Sequence, residues 1–245
     1  MKECSKSIQR RLQDSNFIRK YFVGSGIDIG GKPDPLCLYD EFFPLLNEVR
    51  TWDWEDGDAQ YLKGVADESV DFVHSSHCLE HLVDPKEGLR NWIRIVREGG
   101  YLIISVPDED LYEQGIFPST FNKDHKWTFS IYKSQSWSDR SINLLNLLQD
   151  LGSNIEIIKI EVLNATYRPS FPRFDQSITP VAECSIEFIL RKLSKDEVKS
   201  GYRNLLKSIN LSREKRIHLN QYICDMQVMK SNNSEHPPFL NESDI

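Results

Sequence analysis

The sequence has few cysteines and no long apolar run. Its five cysteines are scattered and include no C-x-x-C pair, which argues against a zinc or redox motif and favours a reduced thiol pool. No stretch approaches the roughly 20 apolar residues of a membrane span. The basic residues after Met1 are not followed by the apolar core of a signal peptide. We therefore expect a soluble, cytoplasmic protein without a membrane span.

Positive charge is also in deficit, because 30 Lys and Arg stand against 37 Asp and Glu, for a formal net charge of −7. Such a chain has no general attraction for polyphosphate, so nucleic acid is a disfavoured substrate. The dinucleotide fingerprint G-x-G-x-x-G is missing after the first predicted strand, which disfavours NAD binding.

Strand and helix patterns alternate along the chain. Short apolar runs bounded by turn residues predict strands over residues 26–31, 48–53, 69–74, 101–106, 155–162 and 184–190. Amphipathic spacing predicts helices over residues 5–21, 85–98 and 139–151. The alternation predicts an α/β domain with a doubly wound, mostly parallel sheet.

The helix after Asp84 has the clearest signals. Asp84 is placed as its N-cap, Pro85 occupies the first helical position, and Glu87 stands where a reciprocal capping bond would form. We expect the helix to end at Gly99-Gly100, before a run that is apolar on both faces.

Domain boundaries follow from shifts in composition. We expect an N-terminal helix in residues 1–20, a catalytic domain in 21–193, a helical appendage in 194–230 and a disordered tail in 231–245. Ser194 and Glu197 form a capping box at the start of the appendage. The appendage helices either cap the pocket or pair two chains in a homodimer.

Several segments together resemble the class I S-adenosylmethionine-dependent methyltransferases of the small-molecule type. They are residues 26–31 (GIDIGG), Asp53, residues 57–59 (GDA), residues 71–81 (DFVHSSHCLEH) and residues 94–107 (RIVREGGYLIISVP). The resemblance spans residues 21–192 and implies a seven-stranded, Rossmann-like sheet with S-adenosylmethionine as cofactor.

The same resemblance implies a set of cofactor contacts. Asp28, Gly30 and Gly31 would lie against the methionine part, Asp28 acting through water or backbone amides. Asp53 would accept hydrogen bonds from the ribose hydroxyls, since an ionised carboxylate accepts several. Asp58 and Ala59 would contact the adenine edge. Ser75, Ser76 and His77 would flank the transferable methyl.

The first loop departs from the common family pattern. Lys32-Pro33 replaces its third glycine, and Pro35 and Pro44 interrupt the helix expected before the second strand. With this altered first loop, the chain resembles a subgroup found among bacterial surface-glycan and related tailoring methyltransferases, which act in polysaccharide biosynthesis. The ribose ligand is accordingly Asp53, Glu48 or Glu55.

Residues 122–127 follow the strand after which this fold places substrate-facing groups. His125 is the candidate general base, because imidazole can take a proton near neutral pH. Tyr112, Trp127 and Arg168 are candidate substrate contacts, Arg168 being suited to an anionic group. We predict methyl transfer to an oxygen or nitrogen of a small polar metabolite or sugar derivative, with no metal required.

Two other functions stay open. One is a catalytically inactive protein that binds the cofactor or a partner. The other is a zinc hydrolase, because residues 77–81 match H-x-x-E-H. In that reading His77 and His81 would share one helix face, and Glu156 or Glu161 would supply a further ligand. In the methyltransferase reading, Glu80 and His81 are structural.

Overall fold

The computed structural model describes residues 2–200, which hold eight strands and four α-helices. The strands are β1 (Gly24–Ile29), β2 (Leu46–Trp52), β3 (Val70–Ser76), β4 (Val96–Pro107), β5 (Thr128–Ser130), β6 (Ser141–Asn143), β7 (Ile155–Leu163) and β8 (Ser185–Lys192). The α-helices are α1 (Glu3–Gln13), α2 (Pro85–Ile95), α3 (Leu144–Gln149) and α4 (Lys195–Ser200). Within these residues no helix has the length and apolar character needed to cross a membrane.

Six of these strands form one sheet in the order β2-β1-β3-β4-β8-β7. β2, β1, β3 and β4 are parallel to one another, whereas β8 runs antiparallel to both of its neighbours. The chain passes from β1 to β2 on one side and then to β3 on the other, so the strand order reverses between β1 and β3. In open α/β sheets, ligands bind outside the carboxyl ends of the strands at such a reversal.

The predicted mostly parallel sheet is confirmed, but the predicted seventh strand is not found in the described residues. β2 is the edge strand, and residues 53–69 after it form turns. Asp53, Asp56 and Asp58 accept hydrogen bonds from nearby backbone N–H groups there, which competes with strand pairing. β5 and β6 pair with each other, and Phe129 of β5 also forms an isolated bridge to Asp108, just after β4.

Helix α2 covers one face of the sheet. The Asp84 side chain accepts from the backbone N–H groups of Lys86 and Glu87, so the predicted N-cap is confirmed. The reciprocal bond from Glu87 is not formed, because the Asp84 N–H donates to Gln60 instead. The helix ends at Ile95 rather than at Gly99-Gly100, which lie within β4.

Helix α1 is fixed on the other side of the sheet by ion pairs. Arg10 donates twice to Glu187 of β8, with the shorter bond at 2.8 Å, and the buried Arg11 lies 3.5 Å from the same carboxylate. Burial alone would raise the pKa of Glu187, but the charges of Arg11 and Arg10 outweigh it and hold the pKa below its usual value. The predicted helix over residues 5–21 is divided into α1 and a separate π-helical turn, Phe17–Tyr21.

Two further helix predictions hold in part. The segment 139–151 forms β6 followed by the shorter α3. The capping box is confirmed, because the N–H of Ser194 donates to Glu197 and the N–H of Glu197 donates to the Ser194 hydroxyl. Helix α4 follows it, and the rest of the predicted appendage and tail lies outside the described residues.

Candidate functional site

A cavity of about 640 Å³ opens at the carboxyl ends of β1, β2 and β3. Its wall contains most of the residues that the sequence predicts as cofactor contacts: Asp28, Gly30, Gly31, Asp53, Asp58, Ala59, Ser76 and His77. These residues are separated by up to 49 positions in the chain and come together because the parallel strands end at one edge.

The glycine turn after β1 is built around Asp28. One Asp28 carboxylate oxygen accepts from the N–H of Leu36 at 2.7 Å, and the other lies 2.6 Å from Nδ1 of His74. Gly30 has φ +71°, and a Cβ there would lie 2.8 Å from Cβ of Cys78. Asp28 thus holds the loop through the backbone amide of Leu36, and its contact to the cofactor stays a prediction.

Three acids are candidates for the ribose contact, and they are placed differently. Asp53 lines the cavity and accepts from the N–H of Lys32 at 3.0 Å. Glu55 pairs with the Lys32 ammonium at 2.9 Å, and Glu48 lies within β2; both are outside the cavity wall. The geometry therefore favours Asp53.

The segment after Gly57 shapes the neighbouring wall. The Asp58 carboxylate accepts from the N–H of Gln60 at 2.8 Å, which closes an Asx-turn. The carbonyl of Ala59 accepts from the indole N–H of Trp92 at 2.8 Å, so helix α2 fixes this turn.

The end of β3 presents a different set of groups. Ser76 lines the cavity and its hydroxyl bonds Ser105, whereas Ser75 is turned away, its hydroxyl donating to the carbonyl of Ile29. His77 has φ +54° and lies 2.6 Å from the Ser185 hydroxyl. Burial lowers the pKa of His77 well below its usual value, so the ring is neutral near pH 7.

The predicted base, His125, lies behind the cavity wall rather than on it. It is buried, its Nδ1 is 2.7 Å from the Glu113 carboxylate, and its Nε2 faces Glu80 at 3.8 Å. The buried Glu113 was not predicted. Its only sequence signal is a position six residues after the buried strand β4.

The three predicted substrate contacts also lie off the cavity. Tyr112 is buried beside His125, with ring centroids 5.0 Å apart. Trp127 lines a separate hollow beside α2 and donates to the Leu82 carbonyl. Arg168 lies over the Phe171 ring.

The cavity wall instead includes polar residues that were not predicted as contacts: His81, Asn122, Asp124 and Lys126. The N–H of Lys126 donates to the carbonyl of Glu80 at 3.0 Å, which joins residues 122–126 to the turn after β3. The polar run at 122–126 was the available sequence signal.

The H-x-x-E-H segment does not form the helix that a hydrolase reading requires. His77 has positive φ and only residues 79–81 form a 3-10 turn, so His77 and His81 do not share a helix face. The proposed further ligands are used elsewhere: Glu156 pairs with Arg191, and Glu161 pairs with Lys159. Glu80 is fully buried, and burial raises its pKa.

Residues 41–104 match the sequence model of a family described as a methyltransferase domain. No curated protein matches the sequence. Among solved structures, an S-adenosylmethionine-dependent methyltransferase from Archaeoglobus fulgidus has 16% identity and a TM-score of 0.46, with 78% of this chain and 94% of that one covered. A protein from Bacillus halodurans, provisionally assigned as a methyltransferase, has 13% identity and a TM-score of 0.48, with 76% and 99% covered. These two likenesses concern the fold alone.

The matched segment runs from before β2 into β4 and contains the turns that carry Asp53, Asp58 and His77. It therefore covers the part of the cavity wall that follows β2 and β3, but not β1 and its glycine turn. The match of residues 41–104 to a methyltransferase domain supports S-adenosylmethionine-dependent methyltransferase activity, with S-adenosylmethionine as the cofactor.

Proposed function

We propose that the chain methylates an oxygen or nitrogen of a small polar metabolite or sugar derivative, as in the tailoring of surface glycans. The observation that carries the proposal is the division of one cavity into two chemically different sides. One side has the glycine turn with Asp53 and Asp58, and the other has His81, Asn122 and Lys126.

The first side fits the cofactor. The Gly30 turn allows close approach to the backbone, and Asp53 and Asp58 bring carboxylates that accept hydrogen bonds and favour a nearby cation. When bound, S-adenosylmethionine supplies a sulfonium methyl that passes to the acceptor, leaving S-adenosylhomocysteine. The chain's own contribution is to hold the acceptor atom in line with that methyl.

The second side fits a polar acceptor. The side chains of Asn122 and Lys126 offer donors to hydroxyl, amide or carboxylate groups. A hydroxyl acceptor must also lose a proton. Because His125 lies off the wall, we assign Asp124 as the general base that accepts this proton. Asp124 lines the cavity, and its carboxylate pairs with Nδ1 of His81 at 2.9 Å.

Calorimetric titration of the full chain with S-adenosylmethionine and S-adenosylhomocysteine tests the cofactor side. We expect micromolar binding that weakens about tenfold or more in Asp58→Ala, which corresponds to about 1.4 kcal/mol. The matched control is Asp67→Ala, since Asp67 is an exposed aspartate of the same connection that pairs with Arg94 outside the cavity. Absence of heat with folded protein, or equal loss in both variants, contradicts the assignment.

The acceptor side is tested by measuring S-adenosylhomocysteine release with panels of sugar derivatives, small hydroxy acids and amines. Turnover with one of these classes supports the proposal. Turnover confined to protein or nucleic acid contradicts it, and cofactor binding without release on any panel favours the inactive binding protein.

A further inference from the structure

Beside the cavity, the imidazoles of three histidines surround one carboxylate oxygen of Glu80. Oε1 of Glu80 lies 3.8 Å from Nε2 of His81, 3.8 Å from Nε2 of His125 and 3.9 Å from Nδ1 of His77. We call these four residues the histidine–glutamate cluster. For the triad Glu80, His81 and His125, one ligand atom from each residue lies within 4.8 Å of the other two.

Most of these atoms have no hydrogen-bond partner within the part of the chain that the structure describes. Both carboxylate oxygens of Glu80, Nε2 of His125 and Nδ1 of His77 are buried without one. An uncompensated buried carboxylate costs several kcal/mol, and native structures pair such groups or use them to coordinate a metal. These buried oxygen and nitrogen atoms are therefore arranged as metal ligands would be.

The far side of each imidazole is anchored. Nδ1 of His125 donates to Glu113 at 2.7 Å. Nδ1 of His81 donates to the backbone carbonyl of Asp124 at 3.2 Å and has the Asp124 carboxylate 2.9 Å away. Ser185 donates its own hydroxyl proton to the carbonyl of Glu183, so it accepts from Nε2–H of His77.

If each ring is a neutral imidazole with its proton on the anchored nitrogen, the nitrogen that faces Glu80 carries a lone pair. Carboxylates and backbone carbonyls behind histidine ligands, as at His125 and His81, are the usual outer contacts of metal sites. Repulsion among lone pairs and a carboxylate disfavours this arrangement unless a cation lies between them.

We propose that Glu80, His81 and His125 bind one divalent transition-metal ion, with Nδ1 of His77 as a fourth donor. Imidazole nitrogens with one carboxylate suit Zn²⁺ or Fe²⁺, whereas Mg²⁺ and Ca²⁺ prefer oxygen ligands throughout. Tetrahedral Zn²⁺ with bonds of about 2.1 Å would place neighbouring ligand atoms about 3.4 Å apart. The Glu80–imidazole distances of 3.8–3.9 Å would therefore shorten on binding, and the imidazoles would move toward each other from within 4.8 Å.

The ion would border the cavity, since His77 and His81 also line its wall. Glu80 would act as a ligand and not as the base of a hydrolase. The inference rests on the cluster alone and does not depend on the proposed acceptor.

The test uses the full chain, stripped with a chelator and then titrated with ZnCl₂ alone. We expect one ion per chain with Kd of about 1 μM or tighter. In Glu80→Gln and His81→Ala the affinity should fall by more than the roughly 10–100-fold typical of losing an outer-shell partner. Asp124→Asn should fall within that range.

The matched control is Glu68→Gln, since Glu68 is a half-exposed glutamate that pairs with Lys192. It should bind zinc as the parent does. Cobalt substitution adds a readout of ligand type, because the visible absorption expected of tetrahedral Co²⁺ should be lost in His81→Ala. Circular dichroism verifies that each variant is folded.

Two results would overturn the proposal. One is absence of stoichiometric binding by the folded parent chain. The other is zinc binding that persists unchanged in folded Glu80→Gln and His81→Ala, which would place the ion elsewhere, for example on the scattered cysteines.

Discussion

Two glutamates, Glu80 and Glu109, are fully buried at the carboxyl edge of the sheet, each in a helical turn that follows one of two neighbouring parallel strands. Glu109, after β4, accepts from four side chains: Thr128, Lys133, Ser136 and Ser141. Glu80, after β3, accepts from none within the described residues.

Glu109 is therefore a structural carboxylate held by hydrogen bonds, whereas Glu80 is free to bind a ligand. The donors around Glu109 tie β5, β6 and the loop between them to the end of β4. Around Glu80 the neighbours are imidazoles at 3.8–3.9 Å that are themselves anchored from behind. Burial is equal, so the partners decide which group is structural.

The largest effect is expected from removing the structural carboxylate. Glu109→Ala leaves three hydroxyls without their shared acceptor, while Lys133 keeps its pair with Asp110, and should lower the free energy of unfolding by about 3–5 kcal/mol. Glu80→Gln in metal-free protein should leave it unchanged or raise it, because an uncompensated charge is removed. Urea unfolding of both full-length variants measures the two changes in unfolding free energy. Equal destabilisation would contradict the view that Glu109 is structural and Glu80 is not.

A third buried glutamate provides the next effect. Glu187→Gln keeps one oxygen for the arginines of α1 but loses the charge, at a cost of about 1.5–3 kcal/mol near pH 7. Since the folded pKa of Glu187 lies below its usual value, its contribution is present above about pH 4.5 and is lost as pH falls through the folded pKa.

Arg10, Arg11 and Lys159 are the charges that face Glu187. The difference in unfolding free energy between parent and Glu187→Gln, measured from pH 7 downward, should shrink on acidification. A difference that is constant or grows contradicts the ion-pair account.

The same contrast between fold and cavity can be drawn with two glycines. Gly30 and Gly64 both have positive φ, but a Cβ at Gly30 would meet Cys78 at 2.8 Å while one at Gly64 meets nothing within 4 Å. Both alanine variants should lose about 1–2 kcal/mol of stability from backbone strain. Only Gly30→Ala should also weaken S-adenosylhomocysteine binding, by about tenfold in calorimetry; equal affinities would remove the glycine turn from the site.

The smallest effect concerns an outer contact of the cluster. Ser185→Ala removes the acceptor that holds Nε2–H of His77, a neutral bond of about 1 kcal/mol. Zinc affinity should fall about fivefold, whereas Ser69→Ala, which removes a hydroxyl bonded to the carbonyl of Ala66, should leave it unchanged. An effect larger than that of Asp124→Asn would contradict the ranking of outer partners.

Much of the sheet could be predicted because its strands are short apolar runs between turn residues. The buried run of β4 and the cap at Asp84 are local signals, and both predictions hold. The absent seventh strand was expected from family resemblance alone, and no local pattern in residues 53–69 supports a strand.

The cluster was beyond sequence reasoning for a different reason. H-x-x-E-H spacing suggests His77 with His81, but it does not bring in His125, 44 positions after His81. That approach depends on the backbone bond from Lys126 to Glu80. Likewise Tyr112, Trp127 and Arg168 are polar or aromatic types that suit a pocket, yet packing directs them elsewhere.

The central claim is that the cofactor binds at the carboxyl ends of β1, β2 and β3, and hydrogen–deuterium exchange of the full chain with and without S-adenosylhomocysteine tests it most directly. The account predicts slowed exchange in residues 30–36, 53–62 and 76–82, with β7 and β8 unchanged. Slowed exchange confined to other segments, or none at saturating ligand, would contradict it.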